Sequence, residues 1–193
     1  MQFCSGSPRR SARPNHSRSS RAIRASTTLR VIEVEGKYVA FGAGEQGIYR
    51  GAIRVRTLSD GVNWTDTGAI GKGAPQWGMD TLGYQPLNVW APSISSHGGV
   101  FYLYYSLSSF GGHVSAIGLM TNASFDPEKL GQGWRDQGPI LTSGAQDDFS
   151  AIDPFRIDAS DGRAFLAFGS SGQGSSSASL PRKPVSSSRR TSR

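Results

Sequence analysis

The sequence is poor in cysteine, methionine and long apolar runs. Cys4 is the only cysteine among 193 residues, so no intrachain disulfide and no thiolate zinc site of the finger kind can form. With 36% apolar residues and 3 Met, nothing approaches the run of about 18 apolar residues that a membrane-spanning helix requires. No membrane partner is expected. Also missing are a Gly-x-Ser-x-Gly elbow, a P-loop and a dinucleotide fingerprint, which disfavours serine-nucleophile and nucleotide chemistry. Long helix-forming stretches are scarce, whereas glycine is abundant at 25 residues and aromatics make up 10%. That balance favours short strands and tight turns, and the expected class is all-β.

Acidic residues are missing from both ends. The formal net charge is +7, but residues 1–30 hold seven Arg and no acid, and residues 171–193 hold five basic residues and no acid. The stretch between them carries nine basic residues against all 14 acids, a net of −5. A nucleic-acid binder carries positive charge where phosphates dock. The middle segment has the opposite sign, so no nucleic-acid partner is expected of it.

The opening MQFCSGSPRRSARPNHSRSSRAIRAS has no apolar core of the kind a secretory signal needs. Its Arg/Ser composition is shared by organellar transit peptides and by disordered arms. The end, SSGQGSSSASLPRKPVSSSRRTSR, has the same character. The expected organisation is a disordered basic arm over 1–26, a folded part over 27–170 and a disordered basic tail over 171–193.

Within the folded part the chain repeats itself. Gly36, Gly99 and Gly162 each stand at an aromatic-rich run (KYVAFGAG, VFYLYYSLS, RAFLAFGSS), and they are spaced by 63 residues in both intervals. A short alternating segment precedes each run (RVIEVE, SISSH, FRIDAS), so each unit reads as strand, tight turn, strand. A second matched element, Trp-x-Asp-x-Gly, recurs at Trp64 and Trp134 and reads as a turn with an aromatic plug. Paired hairpins ending in an outer strand predict four-stranded propeller blades. A sandwich with coincidental spacing is the plainer alternative. Residues 27–170 supply about two blades and the start of a third, so the ring is partial. Open strand edges are an aggregation liability, and the chain expressed alone is expected to be insoluble or partly unfolded.

Propeller sites form where innermost strands converge, which singles out the residues opening each unit: Thr27-Thr28-Leu29, Trp90-Ala91-Pro92 and Ile152-Asp153-Pro154. Only Asp153 brings a carboxylate. Asp-Pro is also a common turn initiator, so a functional role and a turn role both stand. Trp90 and Phe110 read first as packing residues and second as ligand platforms. His97 beside Gly98-Gly99 and His113 in a Gly-rich loop have no second His or acid at ligand spacing and read as structural.

The stretch NVWAPSISSHGGVFYLYYSLSSFGGHVSAIGLMTNASFDP, then WRDQG, then FSAIDPFRIDASDGRAFLAFGS, closely resembles the endo-1,5-α-L-arabinanases of glycoside hydrolase family 43. Trp-Ala-Pro, Tyr-Tyr-Ser, Ser-Ala-Ile-Gly and Ala-Ile-Asp-Pro carry the match in this order. The resemblance implies a five-bladed β-propeller, inverting cleavage of internal α-1,5 linkages and arabinan as the polysaccharide partner. It implies no cofactor for this chain. The family is usually secreted.

Inverting hydrolysis needs a general base and a general acid. The resemblance places the base eight residues before Gly36, where this chain has Thr28, a residue unable to take a proton from water at neutral pH. The family's orienting Asp, which also tunes the acid, matches Asp153. Its acid, a Glu, belongs to a later blade, and the chain leaves the family pattern after Ser170. Ser93 stands where the family has Asp, and Phe155 where it often has Asn. Trp90 and Phe110 match cleft-lining positions, bordered by Ser115, Ala116 and Ser150, Ala151 and Ile152. The family's metal-liganding His belongs to a later blade too, and no metal site is assigned here.

Three readings compete. The first is an arabinan hydrolase in a truncated or wrongly assembled, inactive form, with an exo-acting arabinofuranosidase or β-xylosidase of the same family as a variant. The second is a non-catalytic carbohydrate-binding module. The third makes the basic arms functional, binding anionic polymers or membranes around an inert β core.

Overall fold

The computed structural model describes residues 29–45, 48–109, 112–169 and 176–179. Three antiparallel sheets follow one another along the chain. The first is β1 (Leu29–Val34), β2 (Lys37–Glu45), β3 (Ile48–Leu58) and β4 (Trp64–Ile70), in that spatial order. A short helix, α1 (Gln76–Leu82), leads to the second: β5 (Trp90–His97), β6 (Val100–Ser108), β7 (Ser115–Asn122) and β8 (Arg135–Ser143), again in order. The third holds β9 (Ile152–Asp158), β10 (Ala164–Gly169) and β11 (Ser176–Ser179). Consecutive meanders of this kind are successive blades of a β-propeller, as the 63-residue repeat predicts.

The repeat glycines sit at corresponding hairpins. Glu35-Gly36, with φ of 50° and 77°, and Gly98-Gly99, with 58° and 76°, join their strands as two-residue turns. Two positive φ values match the right-handed twist of flanking strands, which is why glycine is favoured there. Gly162, at φ 79°, lies in a longer connection over 159–163 closed by Ala159 N donating to Arg163 O at 2.8 Å.

β6 explains the aromatic density. Leu103, Tyr105 and Leu107 face the first blade, where they meet Val39, Phe41, Ile53 and Val55. Tyr104 and β7's Ile117 face the third, against Ala151, Leu166 and Phe168. A strand buried on both faces needs an unbroken apolar run. Each such side chain contributes about 1.5–3 kcal/mol on burial. Phe125 plugs the first interface, its ring 5.8 Å from Phe41, 5.5 Å from Phe101 and 5.3 Å from Trp134 between centroids.

Two expectations need correction. The Trp-x-Asp-x-Gly element is not a turn: in β4 and β8 it forms a β-bulge on the outer strand. Val55 pairs Gly68 while Arg56 pairs Asp66, and Gly118 pairs Pro139 while Met120 pairs Asp136. In each bulge the Asp side chain accepts from the glycine amide, Gly68 N to Asp66 Oδ1 at 3.2 Å and Gly138 N to Asp136 Oδ1 at 2.9 Å. Second, β11 falls inside the 171–193 stretch expected to be disordered, yet residues 176–179 pair with Phe165–Phe168. Backbone pairing needs no apolar side chain, so a serine-rich segment satisfies the edge of β10.

Candidate functional site

The innermost strands of the second and third blades carry matching bulges. Trp90 pairs Ser106 and Ser93 pairs Tyr104, which leaves Ala91-Pro92 opposite Tyr105. Ile152 pairs Gly169 and Phe155 pairs Ala167, which leaves Asp153-Pro154 opposite Phe168. Ala91 and Asp153 both adopt positive φ, 43° and 50°, a conformation unusual outside glycine. Asp153-Pro154 is thus a strand bulge rather than a turn, and the exposed Asp153 is the one carboxylate at this position in the two blades.

A hydrogen bond to the second blade holds that bulge. Asp153 N donates to Ser106 Oγ at 3.0 Å, across 47 residues of sequence. Gly169 lies beneath the carboxylate: a Cβ there would sit 3.1 Å from Asp153 Cβ and 3.1 Å from Asp153 Oδ2. The segment leading in is anchored by a buried hydroxyl pair. Ser115 Oγ and Ser143 Oγ are 2.7 Å apart, Ser143 Oγ donates to His113 O at 2.6 Å, and Ala151 N donates to Ser143 Oγ at 2.9 Å.

Of the residues singled out from sequence, Trp90, Ser115, Ala151, Ile152 and Asp153 gather along this seam. Trp90 is half-buried and its Nε1 donates to Ser108 O at 3.3 Å. Ser115 and Ala151 are wholly buried, which puts their side chains beneath the surface, holding the Asp153 segment, rather than on it. Ile152 is half-buried beside Asp153. Thr28 and Phe110 lie outside the described residues. Sequence reasoning missed Ser106 and Ser143. Ser106 was visible as the last residue of Tyr-Tyr-Ser, but its partner lies in another blade.

A third equivalent layer follows the bulges. Arg30, Ser93 and Phe155 pair with Phe41, Tyr104 and Ala167, which are spaced by 63 residues. Ser93 is buried, Phe155 is 45% exposed, and the Arg30 guanidinium lies 5.0 Å from the Phe155 ring centroid. Farther along β9, burial pushes the Tyr104 hydroxyl up, opposed by Arg156, while the Arg156 guanidinium holds the Asp158 carboxyl below its usual range. His113 contributes its backbone carbonyl to the serine pair. Among the described residues no three of His, Cys, Asp and Glu come together as a metal would require.

Residues 26–186 match the sequence model of "Glycosyl hydrolases family 43". The chain belongs to this family. It is 36% identical over 143 residues to the extracellular endo-α-(1→5)-L-arabinanase 1 of Bacillus subtilis strain 168, covering 72% of this chain and 42% of that protein. Among solved structures it superposes on an exo-1,5-α-L-arabinanase from a bovine ruminal metagenomic library with TM-score 0.71 and 35% identity, over 80% of this chain and 50% of the other. It also matches a Cellvibrio cellulosa α-L-arabinanase complexed with arabinohexaose, at TM-score 0.70 and 29% identity, over 80% and 47%. The chain therefore spans half or less of the relatives it matches. The family 43 arabinanases are five-bladed β-propellers, and the three sheets described here make an all-β, partial propeller of that kind.

Proposed function

We propose that this family 43 chain handles arabinan, the α-1,5-linked arabinofuranose polymer, as an endo-arabinanase-type glycosidase whose turnover is blocked at Thr28. The observation that carries the reading is the Asp153 bulge: one exposed carboxylate on an innermost strand, fixed through its amide to Ser106 and cleared by Gly169. Such rigid presentation suits the orienting carboxylate of an inverting pair, with Trp90 and Phe110 as platforms for the sugar rings. The names of the relatives, one endo-acting and one exo-acting on 1,5-linked arabinan, support the substrate class.

Inverting hydrolysis requires one carboxylate to activate water and another to protonate the leaving oxygen. Threonine at the base position removes a contribution typically of about 10² to 10⁴ in rate. Binding survives because ring platforms and the Asp153 edge do not depend on that proton.

The test uses the full chain on a soluble carrier, run through gels containing debranched arabinan or xylan, with reducing ends assayed in parallel. Retardation in arabinan alone without new reducing ends is expected. Equal migration in both gels, or reducing-end release abolished by Asp153→Ala, would overturn it. A non-catalytic binding module is separated by a chimera completed with a relative's remaining blades. There Thr28→Asp restores hydrolysis if the glycosidase reading holds, and leaves it at background for a binding module.

A further inference from the structure

We propose that Ser106 is a positioning residue for Asp153, acting from the neighbouring blade, and that Gly169 is the space this arrangement requires. The inference rests on the reading of Asp153 as the ligand-facing carboxylate.

The repeat itself supplies the argument. Ala43, Ser106 and Gly169 are spaced by 63 residues and occupy the same place on the second strand of each blade; in the two blades whose bulges are described, Ser106 pairs Trp90 and Gly169 pairs Ile152. If this position served only its own blade, one small residue would suffice in all three. The three residues differ, and each difference tracks Asp153. Ser106 is fully buried, and its hydroxyl oxygen accepts the Asp153 amide of the next blade. Ala43, at the corresponding place one blade earlier, has no hydroxyl, and the bulge residue of the blade that follows it is Ala91, with no carboxylate to aim. Gly169, directly under Asp153, has no Cβ, where one would lie 3.1 Å from the carboxylate oxygen. In the second blade the same place holds Ser106 opposite a bulge whose Ala91 side chain is a single methyl.

Chemistry favours a hydroxyl at this place. Asp153 at φ 50° holds a sparsely populated conformation that persists in an L-residue only when its surroundings over-determine it. The following residue is Pro154, which has no amide to lend. Asp153 N is therefore the bulge's one donor toward the second blade, and a buried amide left unpaired is costly. Ser106 answers that need while leaving both carboxylate oxygens free for a sugar hydroxyl or a water.

Two measurements on the full chain on a soluble carrier test this, with the Leu103 and Ile117 amides as internal controls for folding. The first, free of any ligand, is residue-resolved hydrogen exchange. Ser106→Ala is expected to speed exchange at Asp153 at least tenfold with the control amides unchanged, and Ser106→Thr to restore most of the protection. Unchanged Asp153 exchange in a folded Ser106→Ala chain would overturn the proposal. The second is a double-mutant cycle on arabinotriose affinity. One hydrogen bond corresponds to a change of about 2- to 12-fold. Ser106→Ala is expected to weaken binding within that range when Asp153 is present, and by less than about 1.5-fold in Asp153→Asn. Gly169→Ala follows the same pattern. Equal losses in both backgrounds would assign Ser106 a merely structural part and overturn the proposal. Wild-type chain that binds no arabinotriose would sink the arabinan reading, while the exchange measurement would still decide the role of Ser106.

Discussion

Arg156 of the third blade lies with its guanidinium carbon 4.5 Å from the centroid of the Tyr102 ring in the second, and its Nη2 donates to Asp158 Oδ1 at 2.6 Å. One side chain thus bridges two blades by its face and steadies its own strand by its edge. The Arg156 side chain is only 10% exposed while Asp158 is 41% exposed, so the ring contact outweighs the ion pair, which water screens. A desolvated cation–π contact is worth up to about 2 kcal/mol. Arg156→Leu is expected to lower stability by about 1–2 kcal/mol in urea unfolding. Arg156→Lys should recover less than half, because an ammonium has no plane to stack. A loss below about 0.5 kcal/mol for Arg156→Leu would contradict the bridging role.

Gly118 marks where the second blade accepts its aromatics. It pairs with Tyr105, and a Cβ added there would lie 2.5 Å from Tyr105 Cζ and 2.7 Å from Trp77 Cζ2. Neither ring is free to retreat: Tyr105 is fully buried, and Trp77 Nε1 donates to Asp136 Oδ2 at 2.9 Å. Gly118→Ala is expected to cost about 2–3 kcal/mol, as overpacking against rigid rings does. Gly131→Ala, where nothing lies within 4 Å, is the control and should change stability by less than about 0.5 kcal/mol. Thermal melts of the two variants check the contrast.

Asp60 closes the turn between β3 and β4. Its Oδ1 accepts from Asn63 N at 2.7 Å and Val62 N at 2.9 Å, and its Oδ2 from Asn63 Nδ2 at 2.8 Å. Those donors, the Asn63 amide foremost, favour the carboxylate and lower its pKa to about 2. A depressed folded value means that the stabilisation is fully present above the ordinary value of 3.8 and lost as pH falls through about 2. Wild type and Asp60→Ala should therefore differ in stability at neutral pH and converge as pH approaches 2. A carbon-13 titration placing the Asp60 midpoint near the ordinary value would contradict this.

The repeat is legible because hairpin turns favour glycine at fixed offsets: Gly36, Gly99 and Gly162 mark two blades and the start of a third. The run VFYLYYSLS announced a strand, and its burial on both faces emerges only from the packing of the blades. What the sequence concealed is non-local or purely backbone. Trp64-x-Asp66 looked like a turn because Asp and Gly favour turns, but the same Asp-to-glycine-amide bond also caps a bulge. Helix α1 is too short for periodicity to report, although Pro75 before it and Gly83 after it, at φ 72° with its amide on Met79 O, are its ordinary boundaries. β11 carries no apolar signal because the neighbouring strand edge, not its side chains, orders it. At the site, Asp153 was readable as a carboxylate and Ser106 as part of a motif. Their hydrogen bond spans 47 residues, and no spacing rule within one blade contains it.

Whether Asp153 faces the sugar decides the assignment of this site. Isothermal titration of arabinotriose into the full chain on a soluble carrier, wild type against Asp153→Ala, measures this directly. Saturable binding by the wild type and a loss of at least tenfold in the variant are expected, with xylotriose inert toward both. Equal arabinotriose affinity in wild type and variant, with folding unchanged, would contradict it.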